Sequence, residues 1–167
     1  MIGFLLVGGQ GRRIGGNKAH RPFAGKSLYQ WAWGNLNRYC SRVVLLGENP
    51  PCEGEHWSEP EPGQGPLGAI RFALSQTPDE WNLIVALDYP YLGANIWDQL
   101  LPLSGRARLP RCQGQPHPLG GFYHKDCRLE GAGASLLRAL EGEDGVHWVD
   151  FCDPEPFLNV NRLEDLR

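Results

Sequence analysis

The apolar positions of the chain fall into two alternating patterns. In the first, short runs are apolar at nearly every position: "IGFLLV" at 2–7, "SRVVLLG" at 41–47 and "WNLIVAL" at 81–87. Runs of this length, bounded by turn residues and apolar on both faces, suit strands buried inside a parallel sheet. In the second, "SLYQWAWGNLNRYC" at 27–40 and "PLGAIRFALSQ" at 66–76 space their apolar residues as helices do. The first half therefore reads as a β/α/β/α/β unit, which predicts an α/β fold of three layers. Beyond residue 100 the alternation is weaker. "RARLPRCQG" and "HPLGGFYHK" read as two further strands, "ASLLRALEG" as a helix, "VHWVDF" as a strand and "RLEDLR" as a short final helix. Gly93 to Pro102 and Gly142 to Gly145 read as loops. No repeat or linker divides the chain, so 1–167 is expected to be a single domain.

Composition narrows the class. The 22 glycines and 14 prolines are scattered between apolar runs, which implies many tight connections within a folded core. The first apolar run is too short for a signal peptide and precedes its basic residues, and no run reaches the length of a membrane span. Five cysteines, odd in number and without a C-x-x-C pair, point to neither a disulfide framework nor a zinc site. A cytoplasmic protein with thiols used in packing is the expectation.

Charge adds a further distinction. Residues 1–47 carry seven Lys/Arg and no acid, while the rest of the chain holds all 19 acids against nine bases, for a net charge of −3. Chance segregation over the surface is one explanation. The other is an amino-terminal segment that meets an anion, and the overall acidity favours a small phosphorylated ligand over nucleic acid.

That segment contains "LLVGGQGRRIGGNKAH" at 5–20, a glycine-rich stretch directly after the first predicted strand. Ligands of α/β sheets bind at the carboxyl ends of the strands, and glycines let backbone N–H groups converge on an anion. A simple strand-to-helix turn is the bland alternative. The dinucleotide fingerprint fails because Ile14 stands where its third glycine belongs. The "AGKS" at 24–27 ends like a P-loop, but His20 replaces the required first glycine and no strand is predicted just before it. Two positions follow from placement alone. Asp88 ends the apolar run "WNLIVAL", where a carboxylate can hold Mg²⁺ or cap the next helix. Asn159 and Asn161 share one face of an extended "NVN", where they can reach one ligand or satisfy a turn.

What remains, G-G-x-G-x-R-x-G-x-x-K from Gly8 to Lys18 followed by "PFAGKSL", resembles the signature of the molybdenum cofactor guanylyltransferase family of nucleotidyltransferases. Four further blocks are similar to that family's, in the same order: "GPLGAI" at 65–70, "LDYPYL" at 87–92, "HPLGGFY" at 117–123 and "FLNVNRLEDL" at 157–166. Departures fall at His20 and Arg21, at Tyr89 where Thr is common, and at Arg162-Leu163 in place of Thr-Pro.

The resemblance implies a three-layer, Rossmann-like nucleotidyltransferase fold with a mostly parallel sheet and helices on both faces. It implies transfer of GMP from GTP to molybdopterin with release of pyrophosphate. Leu6, Gly8, Gly9, Gly11 and Gly15 would line the nucleotide, with Arg13 and Lys18 on its β/γ-phosphates. Gly65, Pro66, Leu67 and Gly68 would approach base and ribose, and Asp88 would hold Mg²⁺. His117, Pro118, Asn159 and Asn161 would face the acceptor. No side chain is required as nucleophile, because the acceptor's own phosphate attacks. Transient contact with molybdopterin-handling proteins and molybdoenzymes is implied, with neither nucleic acid nor membrane as partner. Alternatives at this point are cytidylyl transfer to molybdopterin, nucleotidyl transfer to a sugar phosphate, and a non-catalytic module for nucleotide binding or cofactor delivery.

Overall fold

A computed structural model describes residues 1–7, 18–47, 52–59, 63–101, 104–131 and 133–160. The three apolar runs form strands β1 (Ile2–Leu6), β4 (Arg42–Leu46) and β6 (Trp81–Ala86), and β1 lies between the other two, parallel to both. Their side chains leave in both directions and are buried in both. Leu5 packs on one face with α1 (Leu28–Tyr39) and α3 (Ala94–Leu100). Ile2, Phe4 and Leu6 pack on the other with α2 (Gly65–Gln76) and α4 (Leu136–Glu141). Three layers result, with an apolar core on each side of the sheet.

Helix α1 starts where its sequence supplies a capping box. Ser27 Oγ accepts from the Gln30 N–H at 3.1 Å, and Gln30 Oε1 accepts from the Ser27 N–H at 2.8 Å. Its first turns bury Leu28, Ala32 and Leu36. Gly3 of β1 lets this helix close in, since a Cβ there would lie 2.9 Å from Cys40 Sγ and 3.0 Å from Leu36 Cδ2.

Among the described residues the main sheet runs β10-β7-β9-β6-β1-β4-β5, with β8 paired to β7. The remaining members are β5 (His56–Trp57), β7 (Ala107–Cys112), β8 (Gln115–Pro116), β9 (Gly120–His124) and β10 (Val146–Phe151). β9 is antiparallel to its neighbours β6 and β7, whereas β10 pairs parallel with β7. The mostly parallel sheet with helices on both faces is therefore as the sequence predicts, with a reversed strand inserted beside β6.

Two expectations need correction. Residues 93–102, read as a loop, contain α3. Gly93, whose carbonyl accepts from the Ile96 and Trp97 N–H groups at 3.0 and 3.1 Å, is the helix start, and Ile96, Trp97 and Leu100 bury one face. The "AGKS" segment does follow a strand. It is the turn of a two-stranded hairpin, β2 (Pro22–Phe23) and β3 (Lys26–Ser27), with Ala24 at φ 45° and Gly25 at φ 81° as the tight connection demands. Lys26 lies over the Trp31 ring, 4.8 Å from its centroid, so the P-loop reading is excluded on structural grounds too. The final helix expected in "RLEDLR" lies outside the described residues.

Candidate active site

The site gathers at the carboxyl ends of the central strands. β1 ends beside β4, where the Val7 N–H donates to the Leu46 carbonyl at 2.9 Å, and the Leu87 N–H donates to the Leu6 carbonyl at 3.2 Å. That second bond carries the β1–β6 ladder one residue past the strand and delivers Asp88 at its mouth. The Leu6 side chain itself is buried in the α2-facing core, which leaves only its backbone at this end of the sheet.

Asp88 meets Lys18. Lys18 opens a one-turn 3₁₀ helix (Lys18–His20), and its Nζ lies 3.1 Å from Asp88 Oδ2, with the two side chains 18% and 19% exposed. Residues 70 apart in the chain are thereby joined in a partly buried ion pair. Pairing with a carboxylate holds the lysine ammonium at the carboxyl ends of β1 and β6. The preceding glycine stretch starts at β1 and ends at this lysine. Gly8, Gly9, Gly11, Arg13 and Gly15 themselves lie outside the described residues, as does Asn161.

The carboxy-terminal segment is tied to the same point. The Val160 N–H donates to the Asp88 carbonyl at 2.9 Å, which sets Asn159 beside the β6 end. Asn159 makes a side-chain hydrogen bond to Tyr89, while its Oδ1 is buried and has no partner among the described residues. Tyr89 in turn stands 3.2 Å through its hydroxyl from His117 Nδ1. Burial pushes the Tyr89 phenol up, opposed by the Asn159 hydrogen bond and reinforced by the Asp88 charge. Burial also lowers the His117 pKa, favouring the neutral imidazole.

The reversed strand explains how His117 arrives here. Because β9 runs against β6, its beginning lies at β6's end, and the Ala86 N–H donates to the Leu119 carbonyl at 3.1 Å. Gly120 permits the crossing, since a Cβ there would lie 2.6 Å from Leu92 Cδ2. His117 stacks on Phe157 with ring centroids 4.7 Å apart. Pro118 is placed alongside, but its carbonyl accepts from the Tyr123 hydroxyl at 2.7 Å and is thus engaged internally.

Gly65, Pro66 and Leu67 form the first turn of α2, Gly65 at φ 68°. Gly65 and Pro66 are exposed, Leu67 is buried, and a Cβ on Gly68 would lie 2.5 Å from Gln64 Cβ. This turn follows β4 and β5, at the same sheet end as Asp88, and no bond between it and Asp88 is present among the described residues.

Lys18, Asp88, Asn159 and His117 are thus brought together. Tyr89 and Phe157 are functional candidates that sequence reasoning passed over. Tyr89 was noticed as a departure from a family pattern, but its partner stands 28 residues away and carried no local signal.

No group of three His, Cys, Asp or Glu converges as a ready-made metal cage among the described residues. Asp88 nonetheless offers hard carboxylate oxygens at the carboxyl end of β6, and Mg²⁺ is commonly held by one or two carboxylates together with substrate phosphates. The residues present fit that ion with a nucleotide supplying the other oxygens.

Residues 3–151 match the family model described as the MobA-like NTP transferase domain. A protein of Deinococcus radiodurans described as a "Probable molybdenum cofactor guanylyltransferase" is 28% identical, with 97% of this chain and 90% of that protein covered. One of Trichormus variabilis with the same description is 29% identical over 99% of this chain and 88% of its own length. The crystal structure of molybdopterin-guanine dinucleotide biosynthesis protein A from Archaeoglobus fulgidus superimposes with a TM-score of 0.79 at 22% identity, covering 99% of this chain and 95% of that one.

Proposed function

The chain belongs to the family of MobA-like NTP transferase domains, and from that premise we propose that it is a guanylyltransferase acting on GTP and molybdopterin. An oxygen of the acceptor's phosphate attacks the α-phosphorus of GTP, the bond from that phosphorus to the bridging oxygen breaks, and pyrophosphate departs. The product is the molybdopterin guanine dinucleotide. Both reactants are anionic, so the protein's task is to bring charges together and to stabilise those that develop on the leaving group.

The observation that carries this reading is the Lys18–Asp88 pair at the ends of β1 and β6. When nucleotide enters, Lys18 would transfer its ammonium from the carboxylate to the β/γ-phosphates, Arg13 would serve the same phosphates, and the amides of Gly8, Gly9, Gly11 and Gly15 would cradle them. Asp88 would hold Mg²⁺, which when bound supplies further neutralisation of the phosphates. Gly65 to Gly68 would meet base and ribose, and His117, Pro118, Asn159 and Asn161 the acceptor. One domain over 1–167, a cytoplasmic setting and transient contact with molybdopterin-handling proteins and molybdoenzymes belong to the same reading. Among the described residues no helix is long and apolar enough to cross a membrane.

The experiment is transfer of label from α-phosphate-labelled GTP, and in parallel from CTP, to molybdopterin. Wild-type protein should use GTP, and Asp88→Asn should lose about 10²–10³ of the rate. Transfer from CTP alone would overturn the guanylyl assignment. Transfer from neither, with intact molybdopterin, would overturn the catalytic one.

A further inference from the structure

Asn159, Tyr89 and His117 form a line of polar groups whose direction can be worked out from what each has left to offer. Asn159 has one carbonyl oxygen and one amino group, and the oxygen is buried without a partner among the described residues. Its bond to Tyr89 is therefore made by Nδ2–H, and the phenolic oxygen accepts it. Tyr89 has a single proton to give, and the group facing it is His117 Nδ1 at 3.2 Å. A neutral imidazole that accepts at Nδ1 carries its proton on Nε2. Phe157 lies against one side of the ring at 4.7 Å and 31°, and the Tyr89 ring stands nearly perpendicular to it at 5.7 Å and 82°. The backbone is pinned as well, the His117 N–H donating to the Pro110 carbonyl at 3.0 Å. No partner for Nε2 is present among the described residues.

We propose that Tyr89 is a positioning residue that holds His117 as an Nε2–H donor toward an oxygen of the acceptor substrate, while the orphaned Asn159 Oδ1 receives a proton donor of the same substrate. The inference rests on the transferase reading for the identity of that substrate. Its content is a polarity. The opposite tautomer would present a lone pair at Nε2 and repel a phosphate or carbonyl oxygen, so one partly buried hydroxyl decides which kind of atom the site accepts. Phosphate and ring carbonyl oxygens share the required chemistry. Inorganic phosphate added to the free protein separates them, because only a phosphate subsite shifts the His117 signals at millimolar concentrations.

The test begins without any substrate. In the full chain with ¹⁵N-labelled histidine, near pH 8, long-range ¹H–¹⁵N spectra report which ring nitrogen carries the proton, and His117→Gln identifies the signal among the five histidines. His117 should show a bare Nδ1 and a protonated Nε2. Tyr89→Phe keeps the ring and removes the hydroxyl, so the two nitrogens should move toward averaged values. Asn159→Asp should invert the tautomer, because a carboxylate accepts the hydrogen bond of the phenolic O–H and leaves the Tyr89 oxygen as an acceptor for Nδ1–H. In turnover, Tyr89→Phe should raise the KM for molybdopterin about tenfold, the scale of one lost hydrogen bond, with the KM for GTP unchanged. A protonated Nδ1 in the wild type, unaltered nitrogen shifts in Tyr89→Phe, or an unchanged acceptor KM would each overturn the proposal. Absence of GMP transfer in the wild type would instead sink the transferase reading, and the tautomer spectra would still decide what Tyr89 does.

Discussion

Replacing Lys18 by methionine should tighten binding of a divalent ion to the nucleotide-free protein. The ammonium sits 3.1 Å from Asp88 Oδ2, so in an effective dielectric near 20 the direct attraction is about 5 kcal/mol. Most of that is offset by the cost of drawing two charged groups partly out of water, and about 1–2 kcal/mol remains. An ion arriving at Asp88 without nucleotide must displace the ammonium and forfeit that remainder. Removing the lysine lifts the competition, and about 1.4 kcal/mol corresponds to roughly tenfold in Kd. On the proposed reading, a bound non-hydrolysable GTP analogue would engage Lys18 through its phosphates, so the variant should then gain nothing, and with GTP itself its transfer rate should fall. Titration with Mn²⁺ followed by electron paramagnetic resonance, with and without the analogue, measures both arms. Unchanged or weaker Mn²⁺ binding by nucleotide-free Lys18→Met would refute the reasoning, because it would mean that the ion does not compete for Asp88.

Other perturbations probe the scaffold. Gly121→Ala should destabilise the fold by about 1–3 kcal/mol in urea unfolding, since its Cβ would lie 2.5 Å from the Arg108 carbonyl oxygen, a backbone atom that cannot swing aside. Alkylation followed by mass spectrometry should label exposed Cys152 first in the native protein. Cys40 and Cys127, whose thiols burial pushes up to about 12, should react only on unfolding.

Much of this architecture was legible because β1, β4 and β6 are apolar on both faces, and α1 carries both its cap residue Ser27 and its apolar stripe. α3 was hidden by its brevity and by Gly93 and Asn95, which suggest a turn although Ile96, Trp97 and Leu100 have a core to enter. β5 and the β2–β3 hairpin are two-residue pairings, too short for any periodicity to show. In the site, Asp88 was legible from its place after a buried run. Its pairing with Lys18 and the contact of Tyr89 with His117 depend on chain crossings that no local pattern encodes.

The placement of β1 between two later strands has a consequence for biosynthesis. As the chain leaves the ribosome, Ile2–Leu6 can pair with Arg42–Leu46 on one edge, but its other edge stays bare until residues 82–86 have emerged. For a few seconds, at about 5–20 residues per second, an apolar strand with unpaired N–H and C=O groups is open to wrong partners. Docking of β6 ends that exposure and brings Asp88 to Lys18 in the same event. A nascent chain therefore acquires its Lys18–Asp88 pair only when its central sheet closes, and any defect that delays β6 delays the core and the candidate site together.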